Sequence, residues 1–199
     1  DENNKKIKLK GIKNIESIIH KKEKVIFFSI HQSNWEILVP SIDKLNIRVG
    51  AIYRHINNKY INKLILKKRN QSIKSKKSFY TPKGKKSAKK IITSLNEDTS
   101  IILLIDQKDS SGDDVKLFDN MTKTQTGFLK IARKNNLKLI PVKNMRLSNN
   151  NFEITFCKAI TPYLNHNTDA EAMLDIHKII EEWIRENPSQ WFWQHKRFS

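Results

Sequence analysis

The run Val25, Ile26, Phe27, Phe28, Ser29 and Ile30 is almost wholly apolar and stops at a histidine, His31. A short run of this kind reads as a buried strand, which sets the histidine at the rim of a sheet. A second run, over 100–105, has the same character and stops at an acid, Asp106. Neither approaches the ~20 apolar residues that cross a bilayer. Around them lie segments with helical spacing: Ile12, Ile15, Ile18 and Ile19 within 11–23, and Tyr60, Ile61, Leu64 and Ile65 within 57–68. Helices are also expected over 33–45, 85–95, 126–136 and 170–186, with Pro40 shortening or kinking the first of these. Further strands are expected over 47–53, 78–80, 139–145 and 152–160.

This alternation predicts an α/β layered fold, a mostly parallel sheet flanked by helices. The turn Ser148, Asn149, Asn150 between two strand patterns predicts a C-terminal hairpin, with the long helix after it. Residues 1–10 are polar and expected to fray. Residues 11–199 are expected to form a single domain. The stretch 107–123 is expected to be a polar loop, long enough to point to function.

A chain of 199 residues can bury roughly 70% of its unfolded surface, enough for a real core. The single cysteine, Cys157, excludes an intrachain disulfide, fits a reducing compartment and argues against a cysteine metal site. The other histidines (His20, His55, His166, His177, His195) lack ligand spacing, so no metal or cofactor is expected. No signal peptide is visible, and a start at Asp1 leads us to expect an upstream segment, with a membrane anchor in it. The net charge of +18 favours polyanions: nucleic acid, anionic lipid, phosphorylated substrates or acidic carrier proteins. However, 31 of the basic residues are lysine and only 7 arginine, and Asn and Ile are also abundant. A low-GC genome gives the same bias, so charge alone selects no partner.

Glu36 follows His31 by five residues, about 140° away on an ideal helix, so the two do not share a helical face. They meet if His31 precedes a helix and Glu36 lies in its first turn. Ser33-Asn34-Trp35-Glu36 has the pattern of a capping box, which supports that placement and also gives Glu36 a purely structural alternative. His31 has one too, as a histidine closing a strand. No nucleophile elbow and no phosphate-binding glycine loop is present.

The hexad His31-Gln32-Ser33-Asn34-Trp35-Glu36 resembles the His-x-Gly-Asn-Trp-Glu motif of the lipid A biosynthesis acyltransferases, the lauroyl/myristoyl type, within the lysophospholipid acyltransferase-like superfamily. Five further blocks follow in family order. They are Tyr53-Arg54 with the basic stretch ending at Arg69, Asp106-Gln107-Lys108 in place of Asp-Gln-Asp, Phe118 with Thr124 to Gly127, Leu139-Ile140-Pro141-Val142, and the tail. The tail, through Asn187, Pro188, Gln190, Trp191, Trp193, His195, Lys196, Arg197 and Phe198, is similar to Pro-Glu-Gln-Tyr-x-Trp-x-His-Arg-Arg-Phe. Three departures stand out: Gln32-Ser33 for a residue–glycine pair, Lys108 for the second acid, and Leu117-Phe118-Asp119 for Phe-Phe-Gly.

The resemblance implies a glycerol-phosphate-acyltransferase-like fold and acyl transfer from a thioester to an alcohol. His31 would be the general base and Glu36 the acid that orients it. Arg69 and Arg54 would bind acceptor phosphates or sugar acids, with Asp106 at the substrate. The implied donor is an acyl carrier protein (or CoA) thioester and the implied acceptor a phosphorylated glycolipid, at an anionic membrane surface on the cytoplasmic face of a bacterial inner membrane. The neighbouring reading is glycerolipid or lysophospholipid acylation. The rival from another class is a basic nucleic-acid-binding module; it leaves the ordered blocks unexplained, so no nucleic acid is expected. Trp191, Phe192 and Trp193 are open to core packing or a membrane interface.

Overall fold

The computed structural model describes residues 6–75, 77–193 and 196–198. His195 of the tail motif lies outside them. The strands are β1 (Ile7–Lys10), β2 (Val25–Ser29), β3 (Val49–Tyr53), β4 (Phe79–Pro82), β5 (Ser100–Leu104), β6 (Lys108–Leu117), β7 (Asn120–Thr124), β8 (Lys138–Arg146) and β9 (Phe152–Phe156). The α-helices are α1 (Glu16–Lys21), α2 (Leu38–Lys44), α3 (Lys59–Ser72), α4 (Lys85–Asn96), α5 (Gly127–Asn135) and α6 (Asp169–Glu186). The strand order is β1-β9-β8-β2-β5-β3-β4, with β6 and β7 a separate ribbon. β3 runs parallel to β4 and β5, and β1 to β9, while β8 and β9 form the antiparallel hairpin. The α/β class, the mostly parallel sheet, the hairpin and the long helix are thus as the sequence predicts.

The chain divides into two compact units, one of residues 1–14, 28–35 and 104–199, the other of 15–27 and 36–103. In the first, α6 buries Ala172, Met173, Ile176, Ile180, Trp183 and Ile184, the stripe that its 3.6-residue period lays down. Thr168 and Glu171 close a capping box at its start. α5 contributes Phe128, Leu129 and Ala132, and the hairpin contributes Leu139, Ile140, Val142, Ile154 and Phe156, all buried.

Two expectations are corrected in this unit. The N-terminal segment is not frayed throughout, because Ile7–Lys10 pairs in parallel with Phe152–Thr155. The polar stretch 107–123 is not a loop. It is the antiparallel ribbon β6–β7, turned at Phe118 and Asp119, both with positive φ (48° and 61°) as a two-residue hairpin turn requires.

In the second unit the core is formed by Val25, Ile26 and Phe27 of β2, Val49 and Ala51 of β3, Ile101, Ile102 and Leu103 of β5, Ile91 and Leu95 of α4, and Leu38, Val39 and Ile42 of α2. The helix expected over 33–45 is shorter. A 3-10 turn, Trp35–Ile37, leads into α2. Pro40 falls in the first turn of α2, where its missing N–H costs nothing. Its ring clashes with an α-helical carbonyl four residues back, at Glu36, so the α-helix cannot begin earlier. The Ser33–Glu36 capping box does not form: Ile37 precedes α2 without a side-chain cap, and the Ser33 hydroxyl is buried without a partner. Asp43 at the end of α2 is buried and accepts from Lys74 N–H (2.6 Å), Ser75 N–H (3.0 Å) and Ser78 Oγ (2.5 Å), which fixes the entry to β4.

Gly11, just beyond β1, has φ +70°, and a Cβ there would lie 2.1 Å from the Phe156 carbonyl oxygen. Gly11→Ala is therefore expected to destabilise the protein by about 2 kcal/mol or more, from strain and overpacking together. Thermal denaturation followed by circular dichroism reads this as a drop of several degrees; an unshifted midpoint would show that β1 is not held as described.

Candidate active site

His31 lies two residues past β2, and its main chain is held by the tail of the same unit. The His31 carbonyl accepts from Phe192 N–H (2.8 Å), Ser33 N–H donates to the Gln190 carbonyl (2.8 Å), and Gln32 and Trp191 form an isolated antiparallel bridge. Gln32 Nε2 donates to the Trp183 carbonyl on α6 (3.3 Å), and Asn144 Nδ2 of β8 donates to the Gln32 carbonyl (3.2 Å). The loop is thus tied to a helix, a strand and the tail. Ser33 adopts φ 56°, a left-handed conformation that a glycine would take without strain.

Asp106 lies two residues past β5 and is 4% exposed. Its Oδ1 is 2.7 Å from His31 Nδ1, and its Oδ2 accepts both the His31 backbone N–H (2.9 Å) and the Trp191 indole N–H (2.8 Å). Burial pushes this carboxyl up, but the hydrogen bonds and charge of His31, with the Trp191 bond, outweigh it and leave the pKa below the ordinary value. Asp106 is therefore ionised at neutral pH. A carboxylate on Nδ1 favours the tautomer with the proton on that nitrogen, so the lone pair is on Nε2. No hydrogen bond reaches Nε2 among the described residues. The ring stands among aromatics: Trp35 at 5.0 Å between centroids, edge-on, and Phe192 at 6.3 Å.

Behind Asp106 the tail carries a buried guanidinium. Arg197 is 2% exposed. It donates to Thr122 Oγ1 (2.8 Å), the Lys123 carbonyl (2.7 Å) and Thr124 Oγ1 (2.6 Å), joining the tail to β7. Burial lowers its pKa to about 10, opposed by the charge of Asp106. His177 on α6 is buried as well. Its Nδ1–H donates to the Lys116 carbonyl (2.5 Å), and Nε2 has no partner. Burial, with a smaller push from Arg197 and against the pull of the Lys116 carbonyl, lowers the pKa to about 4.

In the other unit, Glu36 and Arg69 form a two-pronged pair: Nε to Oε2 at 2.8 Å and Nη2 to Oε1 at 2.5 Å. The Arg69 guanidinium carbon lies 5.3 Å from the Tyr53 ring centre and 5.7 Å from that of Tyr80. The Glu36 hydrogen bond, opposed by partial burial, raises the pKa of Arg69, and burial pushes the Tyr80 phenol up to about 12. Arg54, just past β3, is exposed. Among the described residues no group of three or more His, Cys, Asp or Glu is arranged to hold a metal.

The structure thus pairs His31 with Asp106, and Glu36 with Arg69. It places Asp106, expected at the substrate, on the histidine, with both oxygens already taken. Sequence reasoning missed the Trp191 indole on Asp106 and the buried Arg197. Their signal was the tail block itself, whose aromatic and basic residues read as packing or interface. Trp191 is in fact buried at 6% exposure, whereas Trp193 is 58% exposed.

A mostly parallel sheet with a buried aspartate set on a histidine at strand ends defines an α/β protein with a paired carboxylate and imidazole at its site. Over residues 1–199 the chain matches the model of the bacterial lipid A biosynthesis acyltransferases, and it belongs to that family. No curated protein sequence matches the chain.

His177 is neutral in the fold and has an ordinary value of 6.5 when unfolded. Between pH 6.5 and about 4 the unfolded chain therefore binds the extra proton and the folded chain does not. Stability from this residue is complete above that window and falls as pH drops through it, by about 3 kcal/mol in all. Urea denaturation between pH 7 and 4, compared with His177→Gln, checks this. The wild type should lose stability more steeply, and parallel curves would exclude His177 as the source.

Proposed function

We propose that the protein is an O-acyltransferase that moves a fatty acyl chain from a carrier-protein (or CoA) thioester to a hydroxyl of a lipid A precursor, with His31 as general base. The observation that carries this is the 2.7 Å contact of His31 Nδ1 with a buried, ionised Asp106, in a chain of the lipid A acyltransferase family. Such a carboxylate fixes the tautomer and stabilises the imidazolium formed when Nε2 takes a proton, the role of the acid in a serine-protease triad.

The acceptor hydroxyl gives its proton to Nε2 as its oxygen attacks the thioester carbonyl. The tetrahedral intermediate then expels the thiolate, and the imidazolium returns the proton to sulfur. The nucleophile is the substrate's own oxygen, which accounts for the lack of an elbow serine.

In this reading Asp106, rather than Glu36, orients His31. Glu36 instead fixes the fork of Arg69 through two of its nitrogens, leaving Nη1 for an anionic oxygen of the acceptor. Arg54 is the second acceptor-binding cation. An acidic acyl carrier protein suits a chain of net charge +18. The location that fits is the cytoplasmic face of a bacterial inner membrane. No helix among the described residues is long and apolar enough to cross a membrane.

Incubation with acyl carrier protein thioester and a lipid A precursor, with the product weighed, tests the reaction. Asp106→Asn should lower kcat about 10³–10⁴-fold, as loss of the orienting acid does in triads, and His31→Ala at least as much. Glu36→Gln and Arg69→Lys should mainly raise KM for the acceptor. The double variant should be little worse than either single one, because the pair acts as one unit. The reverse pattern, with Glu36→Gln crippling kcat and Asp106→Asn active, would return the orienting role to Glu36. No acyl gain by any substrate, with tight salt-sensitive binding of DNA or RNA instead, would favour the nucleic-acid module.

A further inference from the structure

Helix α3 buries none of its residues, although Tyr60, Ile61 and Leu64 are large and apolar. Tyr60 is 87%, Ile61 47% and Leu64 58% exposed, and at spacings of three and four they form one stripe. The helix also carries Lys59, Lys63, Lys67, Lys68 and Arg69, and no acid. On an ideal helix Arg69 falls about 180° from Tyr60 and about 140° from Leu64, though only about 80° from Ile61, so the side chain that meets Glu36 points away from the Tyr60–Leu64 edge of the stripe. Lys59, Lys63 and Lys67 run beside the stripe at four-residue spacing, and Lys68 continues it toward the C-terminus.

From this we infer that α3 is a membrane-docking element that lies in the plane of an anionic bilayer surface. Leu64 and Ile61 enter the boundary of the acyl region, Tyr60 sits at the headgroups, and the lysines meet anionic lipid phosphates. Scattered apolar side chains on a surface need no explanation, but three on one stripe of an acid-free basic helix have the makeup of an interfacial helix. A second copy of this chain is a poor occupant, since two such faces repel each other. A nucleic acid would use the lysines and leave the apolar stripe in water. The inference involves no step of acyl transfer, so it stands or falls separately from the proposed reaction.

Co-sedimentation of the full chain with phosphatidylcholine vesicles, with and without phosphatidylglycerol, tests it. Binding should require the anionic lipid and weaken with salt. Tyr60→Ser combined with Leu64→Ser should weaken it about tenfold or more, and each of Lys59→Gln, Lys63→Gln and Lys67→Gln by up to about fivefold. All these side chains are exposed, so circular dichroism and the melting temperature should not change. Acyl transfer to a detergent-dispersed acceptor should keep its wild-type rate in the Tyr60/Leu64 variant, which separates loss of docking from loss of chemistry. Equal binding to neutral vesicles, or α3 variants that bind as the wild type does, would overturn the inference. So would a loss confined to Trp193→Ser with Phe198→Ser, which would move the docking surface to the tail, or variants that abolish only self-association.

Discussion

The Asp106 carboxylate accepts three hydrogen bonds from three directions, and the first unit's site is arranged around it. One is the His31 ring, one the His31 main chain, one the Trp191 indole. A buried carboxylate without donors would protonate or destabilise the fold by several kcal/mol, so these donors are conditions for its charge. The same bonds set the ring's orientation and bring the tail across the His31 loop. The main-chain pairing of residues 190–192 with 31–33 then follows. Charge, ring geometry and tail position are thus one arrangement, which is why the C-terminal block helps to position a histidine far away in sequence.

The strand ends that carry His31 and Asp106 were legible because both strands are continuous apolar runs, and a buried strand must stop where a polar side chain begins. Their pairing was not legible. The two residues are 75 apart, and local spacing reports only neighbours on one element. Spacing allows Glu36 to meet His31 and the family resemblance implies that it does, but its hydrogen-bond partner in the structure is Arg69, 33 residues on. The 3-10 turn at Trp35–Ile37 was half legible, since Pro40 announced a short helix without saying where it begins.

The β6–β7 ribbon shows a different limit. Of β6 only Val115 and Leu117 are buried, so the alternation that marks a strand is nearly absent, and Asp and Ser residues read as loop. The ribbon stands outside the main sheet, and its order comes from contacts that sequence does not show: Arg197 on Thr122 and Thr124, Thr126 on Asp113, and the Phe118 N–H on Glu181. β1 is similar, a short polar strand held by its partner β9 and by the close approach that Gly11 permits.

In a chain biased toward lysine, the places that keep arginine carry information. Arg69 grips Glu36 with two nitrogens, Arg133 spans the Tyr163 carbonyl and Asp169, and Arg197 binds two threonines and a carbonyl. Arg146 and Arg185 lie over the rings of Phe152 and Phe118. The forked contacts need several donors fixed in one plane, which an ammonium group lacks, and the same plane lets a guanidinium lie flat on a ring. Five of the seven arginines are thus engaged in contacts that suit a planar guanidinium. Arg54 is exposed and has no such internal task among the described residues. That exposure leaves its guanidinium to solvent, which the proposed role as second acceptor-binding cation requires.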